Sequence, residues 1–235
     1  MSHLGQIVSQ FFKGRFSLFL MALSFYFLGM PLIAPHFIVL GQVMDFFGLV
    51  VLASCLVAIS RSRRFFIFMA IFTLFNLILG SCDVLIWSSP NFVTIVLVAR
   101  LLYFLLVVVS ILRYVLDSSP VTTDKIFGAL SAYLLIGVVW AVIYSLFQHL
   151  EPGSFNLKEI EVVSRSTLSM WALYFSFTTL PSLGYGDITP QLPAVQSYAV
   201  MEAVFGQIFL TVLVARLVAL QIMHSGEKGS SNVES

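Results

Sequence analysis

"TTLPSLGYGDITP", Thr178–Pro190, carries two glycines around a tyrosine and then an aspartate, and it lies between two long apolar runs. The chain around it has 235 residues, of which 59% are hydrophobic and 10% charged, far below the roughly 25% charged content of soluble domains. Such a chain is an integral membrane protein, and its length is counted in spans of about 20 residues. Polar, irregular backbone at membrane depth is tolerated only where protein or a water-filled cavity surrounds it. The stretch is therefore where function is to be sought.

Immediately before it, Thr167–Leu180 is apolar and helix-compatible but too short to cross a bilayer, which suits a re-entrant helix. Full-length spans flank this pair of segments, one over Ile126–His149 and one over about Ala194–Gln221. Further towards the N-terminus, residues 16 to 60 are about twice as long as one crossing requires. "GMPLIAPH", Gly29–His36, breaks them into spans near 16–34 and 38–60. Two more follow over Phe65–Trp87 and about Phe92–Arg113, separated by "SSPN" and closed by the polar stretch Asp117–Lys125. The expected fold class is all-α integral membrane, with six transmembrane helices plus a re-entrant helix and loop.

Lys13, Arg15, Arg61, Arg63, Arg64, Arg113 and Lys125 fall on one side of this arrangement, and Lys158 and Arg165 on the other. The positive-inside rule then places both termini in the cytoplasm of a multi-pass cell-membrane protein. Reading the first span as a cleaved signal peptide suits neither its length nor its lack of an A-x-A-like site.

The remaining composition excludes several classes. Scattered basic residues and a net charge of +1 offer no nucleic-acid surface. Cys55 and Cys82 fall at different depths of different spans and are expected to remain thiols. His3, His36, His149 and His224 have no metal-ligand spacing, so no cofactor or resident metal is expected. The spans hold too few converging polar side chains for an enzyme site.

Glycine's tolerance of positive φ lets a Gly-Tyr-Gly strand alternate its backbone so that successive carbonyl oxygens face one way. Four such strands around an axis form stacked oxygen rings that replace the water shell of a potassium ion. "FTTLPSLGYGDITP" followed by "MEAVFGQIFLTVLVARLV" resembles the pore of the potassium channel family, over about Ile126–Gln221.

The resemblance implies a homotetramer in membrane lipid that passes potassium through a filter of Ser182, Leu183, Gly184, Tyr185 and Gly186. Backbone carbonyls and the Ser182 hydroxyl would be the ion ligands, and Gly206 would be the hinge of the inner helix. It implies support of the filter from Thr178 and Thr179, and a hydrogen bond between Asp187 and Tyr174. Its organisation would be an N-terminal segment to 15, a sensor-like four-helix domain over 16–116, a linker over 117–125, a pore domain over 126–222 and a tail over 223–235. The chain departs from the usual family pattern at Pro181, Ser182 and Leu183. Pro181 lacks a backbone donor and disfavours helix at Leu180, which leaves open how the pore helix ends.

Charges inside spans direct attention to Asp45, Asp83 and Arg100, which counting along the helices places in the outer half of the membrane as an expected ion-pair cluster. Every third residue from Arg100 is Tyr103, Leu106, Val109 and Leu112, which is unlike a sensor helix with repeating arginines. Weak or absent voltage gating is therefore expected. Glu202 is expected to support the filter through a buried hydrogen bond, while Gln207 and Thr211, one turn apart, are candidates to line the cavity. Glu151, Glu159, Glu161 and Asp187 outnumber Lys158 and Arg165 at the outer mouth, which concentrates cations there. The flanks are expected to be too short for a ligand-binding domain. A poorly selective cation channel is the nearest rival reading. A transporter or non-conducting subunit is the more distant one, and the single interrupted segment fits a transporter poorly.

Overall fold

A computed structural model describes residues 16–24, 63–85, 89–117, 122–157 and 165–231. Residues 16–24 form helix α1. It is followed by α2 (Arg63–Leu85), α3 (Pro90–Val115), α4 (Thr123–Leu150), strand β1 (Phe155–Asn156), α5 (Arg165–Thr179), strand β2 (Thr189–Pro190) and α6 (Pro193–Ser231). Among the described residues, four helices are long and apolar enough to cross a membrane: α2, α3, α4 and α6. They coincide within a few residues with the last four spans expected from sequence. Most of the two earlier expected spans, with Asp45 and Cys55, lies outside the described residues, as do the side chains of Cys82 and Asp83.

Local chemistry sets the helix starts. Ser89 caps α3, its hydroxyl accepting from the Phe92 amide, with Pro90 just inside the helix where no donor is needed. Thr122 caps α4 in the same way by accepting from the Lys125 amide, and Asp124 lies in its first turn. Asp124 has a second task. Its Oδ1 accepts from the Phe16 amide at 2.8 Å and its Oδ2 from the Tyr114 hydroxyl at 3.1 Å. One carboxylate thus ties the starts of α1 and α4 to the end of α3, and the Phe16 ring stacks on Tyr114.

The hub of the fold is α4, which packs on α3, α5 and α6. Its small buried residues, Gly128, Ala129, Ala132 and Gly137, allow this close packing. One core joins Phe16 and Phe19 of α1, Met69 of α2, Tyr103, Val107 and Ile111 of α3 and Ala132 and Leu135 of α4 with Leu180. Within it the hydroxyls of Thr73 and Tyr103 meet at 2.8 Å, linking α2 to α3. A second, aromatic core gathers Tyr144, Phe155, Trp171 and Phe175. Their rings meet mostly edge to face, with centroids about 5 Å apart.

The second core positions the polar stretch through the loop that follows α4. β1 pairs antiparallel with β2 in the register Phe155↔Pro190 and Asn156↔Thr189. The Gln191 amide extends the pairing by donating to the Ser154 carbonyl at 2.8 Å. The loop after α4 therefore clips the segment that follows the glycines, with Phe155 anchored in the aromatic core.

Candidate functional site

Helix α5 delivers its C-terminus to Pro181, and the end of that helix builds the site. The Leu180 amide still donates to the Ser176 carbonyl, completing the helical ladder. Pro181 offers no donor. The chain then reverses direction, and the next amides return to the helix end: Ser182 to the Thr179 carbonyl at 2.8 Å, and Leu183 and Gly184 to the Thr178 carbonyl at 2.8 and 2.9 Å. Orphan carbonyls at a helix end need such partners, and here the strand itself supplies them. This answers how the helix ends despite Pro181. The hydroxyls of Thr178 and Thr179 turn back to the Phe175 carbonyl at 2.9 and 2.8 Å, stiffening the last turn.

No described peptide bond is cis. In a trans peptide the N–H and the preceding C=O point in opposite directions. With the amides of residues 182, 183 and 184 aimed at α5, the carbonyls of Pro181, Ser182 and Leu183 point away from it. Positive φ recurs at alternate residues, Ser182 (61°), Gly184 (55°) and Gly186 (82°). Glycine takes this region without penalty, whereas Ser182 bears the cost of about 1–2 kcal/mol for a residue with a Cβ. Strain of this kind persists where surrounding contacts over-determine the backbone. Leu183 and Tyr185 are 56% and 66% exposed within one chain.

Three side-chain anchors hold the segment. At its Asp187 end, the Tyr174 hydroxyl donates to Asp187 Oδ2 at 2.6 Å, and the Tyr174 ring stacks on Tyr185. This is the hydrogen bond expected from the resemblance. It holds the Asp187 carboxyl below the usual carboxylate range and pushes the Tyr174 hydroxyl up to about 12.

At the Pro181 end of the segment, Gln207 Nε2 donates to the Pro181 carbonyl at 3.3 Å and to Ser182 Oγ at 3.2 Å. The Thr211 hydroxyl donates to the Gln207 carbonyl at 2.8 Å, so these two neighbours contribute differently. Gln207 reaches the polar stretch, and Thr211 bonds back to its own helix.

Behind the strand, Glu202 is fully buried. Tyr144 of α4 donates to its Oε2 at 2.5 Å, and Ser176 of α5 lies 2.5 Å from its Oε1. Glu202 therefore joins all three helices around the site, as a buried supporting contact.

Gly206 adds a contact that sequence reasoning did not supply. A Cβ at this position would collide with the Leu180 carbonyl oxygen and lie 3.0 Å from Leu180 Cδ1. α6 needs glycine here because the end of α5 rests on it. α6 runs unbroken through this point.

The expected ion-pair cluster is described in part. Arg100 of α3 lies against α2, where a Cβ on Gly80 would stand 3.1 Å from its Nη2. Gly80 is one helical turn from Asp83, whose side chain lies outside the described residues, as does Asp45. Nearer the other membrane face, Lys125 Nζ and Arg216 Nη2 both donate to the Asp117 carbonyl at 2.9 Å, fastening α6 to the link between α3 and α4. The sequence marks Lys125 only as a charge near a membrane face and does not single out Arg216.

Residues 128–221 match the family model described as "Ion channel". Comparison with curated proteins and with solved structures found no match. The matched stretch takes in nearly all of α4, the β1–β2 clip, α5, the alternating strand and the membrane-spanning part of α6. Residues 128–221 are thus similar to an ion-channel domain, within a mostly helical chain whose described residues include four helices long and apolar enough to cross a membrane.

Proposed function

We propose that the chain is the subunit of a homotetrameric, potassium-selective channel that lets potassium cross the cell membrane passively. The observation that carries this reading is the backbone between Pro181 and Gly186. Its amides turn back to the pore helix, its positive φ angles recur at alternate residues, and its leading carbonyls point away from that helix. Carbonyl rings from four copies would take the place of potassium's hydration shell.

In this reading Ser182, Leu183, Gly184, Tyr185 and Gly186 are the filter, with Tyr174, Thr178, Thr179, Asp187 and Glu202 supporting it. Gln207 faces the upper cavity. Four copies are favoured because one chain supplies one strand and leaves its inner helix bare. Only 11% of the span Pro193–Arg216 is buried within the chain, against 56% of Thr123–Leu150. Exposed Gln207 and Thr211 suit a water-filled side, and exposed Val200, Val204 and Ile208 suit neighbouring copies or lipid. Two further spans before α2 and cytoplasmic termini complete the proposed topology. The lack of an arginine ladder on α3 supports weak or absent voltage gating.

The test is purified protein in planar bilayers with potassium on one side and sodium on the other. The proposal expects currents whose reversal potential follows the potassium gradient and whose open probability changes little with voltage. A reversal potential indifferent to the potassium-to-sodium ratio would instead assign a poorly selective cation channel. Absence of current would assign a transporter or a non-conducting subunit.

A further inference from the structure

The contacts around Glu202 contain a proton count that conduction through the filter does not itself require. Three close oxygen pairs meet there: Tyr144 Oη with Glu202 Oε2 at 2.5 Å, Ser176 Oγ with Glu202 Oε1 at 2.5 Å, and Ser176 Oγ with the Gly137 carbonyl oxygen at 2.8 Å. Each pair is within the range of an O–H···O hydrogen bond. Tyr144 and Ser176 each bring one hydroxyl proton, and the Gly137 carbonyl brings none. Two protons cannot fill three bonds. If Glu202 were ionised, Ser176 could serve either the carboxylate or the carbonyl, and the other contact would press unprotonated oxygens together in a buried site, where unmade hydrogen bonds are costly.

We propose that Glu202 is a neutral carboxylic acid whose own proton completes a directional chain across the three pore helices. Glu202 Oε1 donates to Ser176 Oγ, Ser176 donates to the Gly137 carbonyl of α4, and Tyr144 donates to Glu202 Oε2. All three bonds then have a proton, and no charge is left at this buried contact. The surroundings agree. Glu202 and Ser176 are both fully buried. The titratable groups on the side of α4 that faces this site are Tyr133 and Tyr144, both neutral phenols. On α5, Tyr174 lies two residues from Ser176, on the opposite side of the helix, and is committed to Asp187. On α6 the first cation beyond Glu202 is Arg216, about 21 Å along the helix at 1.5 Å per residue. Lys125 sits at the same membrane face as Arg216, fastened to the same carbonyl.

Glu202 is in this account a positioning residue. It acts on the filter through Ser176, holding α5 from behind while Tyr174 and Asp187 hold it from the front. The proposal deepens the channel reading and rests on it only for the effect on ion flow, because the proton itself is observable without any current.

Infrared difference spectra of the purified full-length wild type minus Glu202→Gln, at neutral pH, test the proposal directly. The expected result is a protonated-carboxyl C=O band present in the wild type and absent from the variant. Glutamine keeps a neutral donor and acceptor, so Glu202→Gln should also retain most of the thermal stability that Glu202→Ala loses. A carboxylate band assigned to Glu202, or Glu202→Gln as destabilising as Glu202→Ala, would overturn the proposal. Should Glu202→Gln fail to fold, Ser176→Ala supplies the second reading: removing the acceptor of the Glu202 proton should move the carboxyl band, and an unmoved band would overturn it. A protonated band in a protein that passes no potassium would leave the proton assigned and refute the channel reading alone.

Discussion

Gly206 shows how one missing methyl group can set the spacing of two helices. The Leu180 carbonyl occupies the place where a Cβ would stand. Overpacking of this kind typically costs about 1–3 kcal/mol. Gly206→Ala is therefore expected to lower the melting temperature of the detergent-solubilised protein by several degrees. A glycine that served only as a hinge would leave melting unchanged and alter gating instead, so an unshifted melting curve would contradict the packing role. The sequence places Gly206 at the hinge position of a familiar motif, but it cannot reveal a backbone oxygen 26 residues away along the chain. Asp124 illustrates the same limit, since its bond to the Phe16 amide spans 108 positions. By contrast, Tyr174 and Asp187 lie 13 positions apart within one motif, and their pairing was legible because the motif fixes both ends.

That pairing also carries a pH prediction. The Tyr174 hydrogen bond lowers the Asp187 pKa, so its contribution is present above the ordinary carboxylate pKa and is lost as pH falls through the lowered value. In the proposed channel, acidifying the outer solution should weaken the filter only below the usual carboxylate range. Tyr174→Phe should move that midpoint upward. Currents recorded while the outer pH is stepped would check the order, and identical midpoints would rule out the contribution.

Among the elements, α5 is the one that the others exist to hold. It was legible as a short apolar helix from its length, and its observed bounds, Arg165–Thr179, differ from the expected Thr167–Leu180 by two residues or fewer. Its tethers were legible only in part. The β1–β2 clip is too short to give a strand pattern, and it exists because Phe155 is drawn into the aromatic core. The Gln207 contact at the Pro181 end of the strand depends on how α6 packs against α5, which helical periodicity leaves undetermined. Gln207→Ala removes the donor to the Pro181 carbonyl and to Ser182 Oγ. A hydrogen bond contributes about 0.5–1.5 kcal/mol net, so the potassium-to-sodium permeability ratio should fall by about two- to tenfold. Reversal potentials under paired potassium and sodium solutions would measure this, and an unchanged ratio would show that the contact does not shape the filter.

The whole molecule divides by how much each helix is covered. α4 is packed from several sides, while α6 is covered by its own chain over little of its length. Fourfold assembly would cover the bare face, and native mass spectrometry in mild detergent should return a mass four times that of one chain. A persistent monomer would contradict the assembly. Hydropathy made the later spans legible, because any helix crossing a bilayer must be apolar throughout. Which helix face meets a partner, a cavity or lipid is not written in that apolar pattern, and the exposure of α6 follows from tertiary packing instead.

The central claim is that carbonyls of the segment Ser182–Gly186, brought together from four copies, bind dehydrated potassium. Anomalous diffraction from crystals grown in rubidium or thallium, which stand in for potassium, tests it most directly. The account predicts discrete anomalous peaks stacked on the fourfold axis at the level of the Ser182, Leu183, Gly184 and Tyr185 carbonyls, lost on exchange into sodium. An axis without anomalous density at that level, or peaks that persist unchanged in sodium, would contradict it.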